Sequence, residues 1–224
     1  MTSYLRHPHV HGDEVVFTAD DDIWIAPLVG GRAARLSTDH LPVRSPRFSP
    51  SGRRIAWSTS FGGRSDIQVF DLDASTVSRI TWWSAPGTAV AGWLDDDHVV
   101  VASAHAQHYN RLSHLYSVAL DCSVTPLPFG PAMGWAPGPG GRLVINTPNN
   151  RDSAVWKRYR GGTASQLWLR AEGRWRQVLA DEAAGKYSPA WFDGRLVFSS
   201  DLEASLDRHP DGQAQLCSVD VDGG

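Results

Sequence analysis

An all-β fold is predicted for this chain of 224 residues by three observations. A short apolar segment opening on a polar or charged residue returns five times. After each return comes a second segment in which apolar side chains fall at every other position, the period of a half-buried strand. Glycine and proline punctuate the joints, and no stretch longer than about eight residues carries a helical period. A repeat of roughly 40 to 45 residues holding about four strands is the pattern of a β-propeller blade.

The apolar segments are "EVVFTAD" (14–20), "RIAWSTS" (54–60), "HVVVASA" (98–104), "RLVINTP" (142–148) and "RLVFSSD" (195–201). They start at 14, 54, 98, 142 and 195, hence spacings of 40, 44, 44 and 53. A leading strand precedes each: "LRHPHVH" (5–11), "RSPRFSP" (44–50), "AVAGWLD" (89–95), "AMGWAPG" (132–138) and "YSPAWFD" (187–193). The alternating segments come next, as "DIWIAPL" (22–28), "DIQVFDL" (66–72), "HLYSVAL" (114–120), "QLWLRAE" (166–172) and "QLCSVDV" (215–221). Fourth strands are expected in "AARLSTD" (33–39), "VSRITWW" (77–83), "VTPLPFG" (124–130) and "RQVLADE" (176–182). Between leading and second strands, "SPSGRR", "GPGGR" and "FDGR" supply the glycine that a tight hairpin needs. The expectation is a single β-propeller domain over 1–224, with blade units at about 4–40, 41–84, 85–130, 131–182 and 183–224. The fifth unit lacks its last strand, so "QLCSVDV" is expected to present an open edge with Leu216, Val219 and Val221 beside it.

Composition narrows the function classes. A net charge of −3 and a pI near 6.3 give no general attraction to nucleic acid or anionic lipid. Lys157 and Lys186 are the only lysines among 21 cationic residues, the rest being arginine. Cys122 and Cys217 stand far apart, which fits neither a disulfide framework nor a zinc site. The start, "MTSYLRHPHVHGDEVVF", has no apolar run of signal-peptide length, and no segment has the roughly 20 apolar residues of a membrane span. A cytoplasmic protein is expected, with no partner among nucleic acids or membranes.

Three clusters carry candidate chemistry. In "HPHVH", His7, His9 and His11 stand at i, i+2 and i+4, which on a regular strand is one face and a spacing able to ligate zinc or copper. A polar-faced strand is the plainer reading, and no metal or other cofactor is expected. In "SAHAQHYNRLSHL" (103–115), His105 and His108 lie in the connection between the second and third strands of unit three, as a solvated loop or as peptide contacts. The equivalent connection of unit four holds "WKRYRGGT" (156–163), where cations alternate with Trp156 and Tyr159. Either its cations pair with carboxylates of neighbouring blades, or Arg158 and Arg160 line a face or channel and attract peptide carboxylates. No G-x-S-x-G elbow occurs, and no catalytic residue is assigned.

Taken in order, "YLRHPHVHGDEVVF", "DDIWIAPLVGGRAARLS", "PRFSPSGRRIAW", "AVAGW" and "WKRYRGGTASQLW" resemble the N-terminal propeller of the tricorn protease family across essentially the whole chain. The resemblance implies a six-bladed propeller, of which about five blades are present, within a large cytoplasmic serine peptidase that degrades oligopeptides. Such enzymes also hold a seven-bladed propeller, a PDZ domain and a catalytic module. The family's nucleophilic serine and its histidine lie in that module and map to no position here. The role implied is that of a non-catalytic scaffold and peptide gate, inactive alone. It would be part of a longer protein whose partners are oligopeptides and its own other domains, with homo-oligomerisation left open. The alternative is a stand-alone propeller that binds a protein or peptide partner.

Overall fold

The computed structural model describes residues 4–37, 40–110, 112–148, 159–201 and 215–221. Among them are nineteen strands: β1 (Arg6–His11), β2 (Glu14–Ala19), β3 (Asp22–Pro27), β4 (Ala34–Arg35), β5 (Val43–Phe48), β6 (Arg54–Phe61), β7 (Arg64–Asp71), β8 (Thr76–Arg79), β9 (Ala89–Asp95), β10 (His98–Ser103), β11 (His114–Ala119), β12 (Val124–Pro131), β13 (Ala136–Pro137), β14 (Leu143–Asn146), β15 (Leu167–Ala171), β16 (Arg174–Gln177), β17 (Lys186–Phe192), β18 (Arg195–Ser200) and β19 (Gln215–Val219). The one helical element among the described residues is a 3₁₀ turn at Pro139–Gly141. Strands join consecutively into four sheets of four, β1 to β4, β5 to β8, β9 to β12 and β13 to β16, and one sheet of three, β17 to β19. The all-β architecture of four-stranded blades with an incomplete fifth is the one the sequence predicts.

The chain forms two compact units, Met1–Gly130 and Pro131–Gly224. In the first, one apolar layer joins the first two sheets through Val16, Ile23, Val43, Phe48, Ile55 and Trp57. A second joins the next pair through Ile67, Val69, Ile80, Trp93, Val99, Val101 and Val118. In the second unit, Val144, Leu167, Leu169, Leu196, Phe198 and Val221 form the core. Strand β10 is buried on both faces, with Val99, Val100 and Val101 fully covered, which is why its sequence runs apolar without alternation.

Two side-chain devices recur. Asp22, at the start of β3, accepts a hydrogen bond from Ser37 Oγ at 2.8 Å and pairs with Arg35 at 3.3 Å, while Ser37 Oγ accepts from the Ile23 amide at 2.9 Å. Asp66, at the same place in the second sheet, accepts from Thr81 Oγ1 at 2.9 Å and from Arg79 at 2.7 Å, and Thr81 Oγ1 takes the Ile67 amide at 2.9 Å. Asp66 also receives the amides of Trp83 (2.7 Å) and Ser84 (3.2 Å). Those bonds draw the chain out of the ladder, so β8 ends at Arg79 although its sequence has strand character to residue 83. The indole Nε1 of Trp93 donates to the carbonyl of Arg47 at 3.0 Å, and Trp191 donates in the same way to Ala136 at 3.1 Å, each tying a leading strand to the one before it.

The leading strands are not regular. In β1, β5 and β17 the pairing register shifts where a residue with positive φ precedes proline: His7 (53°) before Pro8, Ser45 (52°) before Pro46, Ser188 (51°) before Pro189. Proline donates no ladder hydrogen bond and is tolerated at an edge strand or bulge. β13 is cut to two residues where the repeat predicts a longer strand. Its missing part is at the start, and at Gly138, just after it, a Cβ atom would lie 2.2 Å from the Trp191 ring. β4 is likewise only two residues long, and β16 begins at Arg174, ahead of the expected 176, because Glu172 (φ 50°) and Gly173 (φ 76°) turn the hairpin tightly. At the open edge, Leu216 is 79% exposed, whereas Val221 is buried in the core rather than beside the edge.

Candidate functional site

Of the four residues singled out in the sequence, Arg158 lies outside the described residues, as does Trp156. Arg160 donates to the Asp201 carboxylate at 2.9 Å and to the Asp201 carbonyl at 3.1 Å, at the end of β18 in the neighbouring sheet. Its guanidinium is thus held by a carboxylate of the next blade. His105 stacks on Trp83 with ring centroids 4.4 Å apart and planes 4° from parallel, and its carbonyl accepts the Tyr116 hydroxyl. His108 is exposed. Arg160 belongs to the second unit and the histidines to the first.

The histidines of "HPHVH", which the sequence offers as a polar strand face or as metal ligands, belong to a cluster built on β1 and β5, which pack side by side. The bulge at His7 breaks the alternation, so His7, His9 and His11 do not share one face. His9 Nδ1 accepts the Phe48 amide at 3.2 Å, which fixes the ring as an acceptor at that nitrogen, and His11 Nε2 meets the Pro50 carbonyl at 3.0 Å. Among the described residues no three metal-ligating side chains converge. Charge is concentrated instead. Burial and then the positive charges of Arg47, Arg6 and Arg44 push the His7 imidazole below its ordinary value. Burial, Arg47 and His11 push His9 down from 6.5 to about 4. Burial also lowers Arg47.

The His9 shift has a consequence for stability. The unfolded chain takes up this proton from about pH 6.5, while the folded chain resists it until about pH 4. Folded stability contributed here is complete above pH 6.5 and is lost as pH falls through that window. The depression corresponds to at most about 3 kcal/mol. Urea denaturation between pH 7 and pH 4 should show the loss, and His9→Gln should flatten the slope. An unchanged slope in the variant would place the acid sensitivity elsewhere.

A further residue that sequence reasoning missed is Lys186. Its side chain is fully buried, and Nζ donates to Gln166 Oε1 at 2.7 Å, the Glu182 carbonyl at 2.6 Å and the Ala184 carbonyl at 3.2 Å. All three ammonium donors are thereby satisfied, the condition on which a buried cation is tolerated. Burial lowers its pKa, opposed by Glu182. The rarity of lysine in the chain is the available signal: one of its two lysines sits where no solvent reaches.

Blades of consecutive antiparallel strands, leading-strand tryptophans that latch onto the preceding strand, and aspartate clamps at matching positions define a β-propeller of four-stranded blades. The model of the family described as "Tricorn protease N-terminal beta propeller domain" matches residues 2–224. The chain belongs to this family. It is 41% identical over 206 residues to "Tricorn protease homolog 1" of Streptomyces coelicolor, covering 91% of this chain and 19% of that protein. It is 29% identical over 172 residues to a "Tricorn-like protease N-terminal subunit" of Sulfurisphaera tokodaii, covering 75% of this chain and 87% of that one. The solved structure of the tricorn protease matches with a TM-score of 0.87 at 29% identity, over 100% of this chain and 22% of that chain. The chain thus spans about a fifth of the length of the full-length relatives it matches. Among the described residues no helix is long and apolar enough to cross a membrane.

Proposed function

We propose that this chain is the non-catalytic propeller region of a tricorn-like cytoplasmic serine peptidase, a scaffold for the catalytic part and a gate for the oligopeptides it degrades. The observation that carries this reading is the family match over 2–224 combined with coverage of only 19% of the Streptomyces relative. The other four fifths of such a protein lie outside the match, and the catalytic module is expected there. Arg160 serves the scaffold: its pairing with Asp201 joins the β14–β15 connection to the next sheet. Arg158, His105 and His108 are proposed as peptide contacts on the connections of units three and four. The Sulfurisphaera relative, described as a subunit in its own right and covered over 87% of its length, supports a second arrangement, in which the propeller is a separate polypeptide that assembles with a catalytic partner.

Purified alone, the chain is expected to hydrolyse no fluorogenic oligopeptide above background. Turnover that a serine-directed inhibitor abolishes would overturn the non-catalytic assignment. Affinity purification from the source cell then separates the two arrangements: a full-length peptidase containing this sequence supports the first, and a stoichiometric catalytic partner on another chain supports the second.

A further inference from the structure

Among the described residues, counter-charge is scarce in the cluster on β1 and β5. Arg6 pairs with Asp21 at 3.3 Å, but neither Arg44 nor Arg47 forms an ion pair among the described residues. The described polar contact of the Arg47 guanidinium is the Pro46 carbonyl, at 2.8 Å. In a chain of net charge −3, a partly buried arginine with no carboxylate is costly unless something else supplies the acceptor. The same ends of the first two sheets hold further unmet donors. Arg6 Nε, Thr18 Oγ1, Trp57 Nε1 and Thr59 Oγ1 are buried without a hydrogen-bond partner. Register places Thr18 opposite Arg6, within the cluster, whereas Trp57 and Thr59 lie on the other face of β6 from Ser58, the residue paired with Arg44. Arg44 also walls an adjoining cleft of about 350 Å³ whose other sides include Leu41, Pro42, Ser60 and Phe61, and Phe61 is 77% exposed.

We propose that the bulged ends of β1 and β5, with the cleft beside Arg44, bind the acidic side chains of an oligopeptide, Arg44 and Arg47 receiving a carboxylate next to His7. The proposal rests on the peptide-handling role proposed for the chain and adds to it a preference for acidic sequences. Guanidinium groups take carboxylates through two parallel hydrogen bonds. Phe61, Leu41 and Pro42 offer the apolar surface that a peptide covers and a bare inorganic anion does not. The two register shifts bring about the arrangement, since in a regular strand Arg44 and Arg47 would point to opposite faces.

The test is calorimetric titration of the chain with an acetylated, amidated tetraglutamate peptide, its tetraglutamine counterpart and inorganic phosphate, at low and moderate salt. Saturable binding of tetraglutamate is expected, weaker with salt, and at least about tenfold weaker for tetraglutamine, the loss matching charge-assisted hydrogen bonds. Arg44 is exposed, so Arg44→Gln should keep the fold and weaken tetraglutamate binding about tenfold. Arg47→Gln should do the same where circular dichroism shows it folded. The His7 ring resonances should titrate at higher pH in the complex, because a bound carboxylate favours the imidazolium. Equal affinity for tetraglutamine, binding unchanged in Arg44→Gln, or phosphate binding without tetraglutamate binding would each overturn the proposal. No hydrolysis is read in this assay, so its failure leaves the peptidase-region assignment standing, and a failed assignment is recognised instead by serine-dependent turnover.

Discussion

Asp66→Ala is expected to destabilise the chain by about 3 kcal/mol, the upper end of the cost of leaving buried donors without their acceptor. One carboxylate holds the Thr81 hydroxyl, the amides of Trp83 and Ser84 and the Arg79 guanidinium, and alanine leaves these donors in place without an acceptor. The damage should be local as well as global. Trp83 is the ring on which His105 stacks, so tryptophan fluorescence should report its release at denaturant concentrations below the main transition. Asp66→Asn keeps one acceptor oxygen and should cost less than the alanine variant. Urea denaturation of both variants decides the matter, and a loss below about 1 kcal/mol for alanine would show that Asp66 is not the hub the geometry makes it.

Phe198→Ala is expected to cost about 3–5 kcal/mol, the range for a large aromatic removed from a packed core. Phe198 is 1% exposed and packs with Val144, Leu167, Leu169 and Leu196 in the second unit. Hydrogen exchange should localise the effect, with amides of β14, β15 and β18 losing protection first. Protection lost first in β6 and β7 would mean that the apolar layer of the second unit is not what the substitution disturbs.

The strands are legible in the sequence because their signal is local. "HVVVASA" and "DIQVFDL" declare burial and period within seven residues, and the strands fall within a residue or two of the expected bounds wherever no side chain competes with the ladder. Some strand ends that differ are decided at a distance, as where the Asp66 carboxylate ends β8, and others by a local turn, as where Glu172 and Gly173 start β16 early. The clamp does have a sequence signal, since "DIWI" and "ARLS" repeat as "DIQV" and "SRIT" with the same separation of 15 residues between aspartate and hydroxyl. Of the candidate site, the residues of the leading strands are visible in the sequence but their arrangement is not. His7, His9 and His11 read as one face only if β1 is regular, and the positive φ of His7 before proline cannot be inferred from alternation. That Arg160 meets Asp201, 41 residues on, depends on how two sheets pack, which no spacing within one sheet encodes.

The consecutive pairing of strands bears on how the polypeptide is made. Within a sheet, each hydrogen-bonded neighbour is the next strand along the chain, and the aspartate clamps close over 15 residues, so most pairing is over short loops with a low entropy of closure. A sheet can therefore assemble once its own segment of chain has left the ribosome, without waiting for distant sequence. The latching tryptophans are among the exceptions: Trp93 reaches back 46 residues to Arg47, and Trp191 reaches back 55 to Ala136. Each closes only after the preceding leading strand is in place. At these two junctions the order of synthesis is thus also an order of docking, the third sheet entering against the second and the fifth against the fourth.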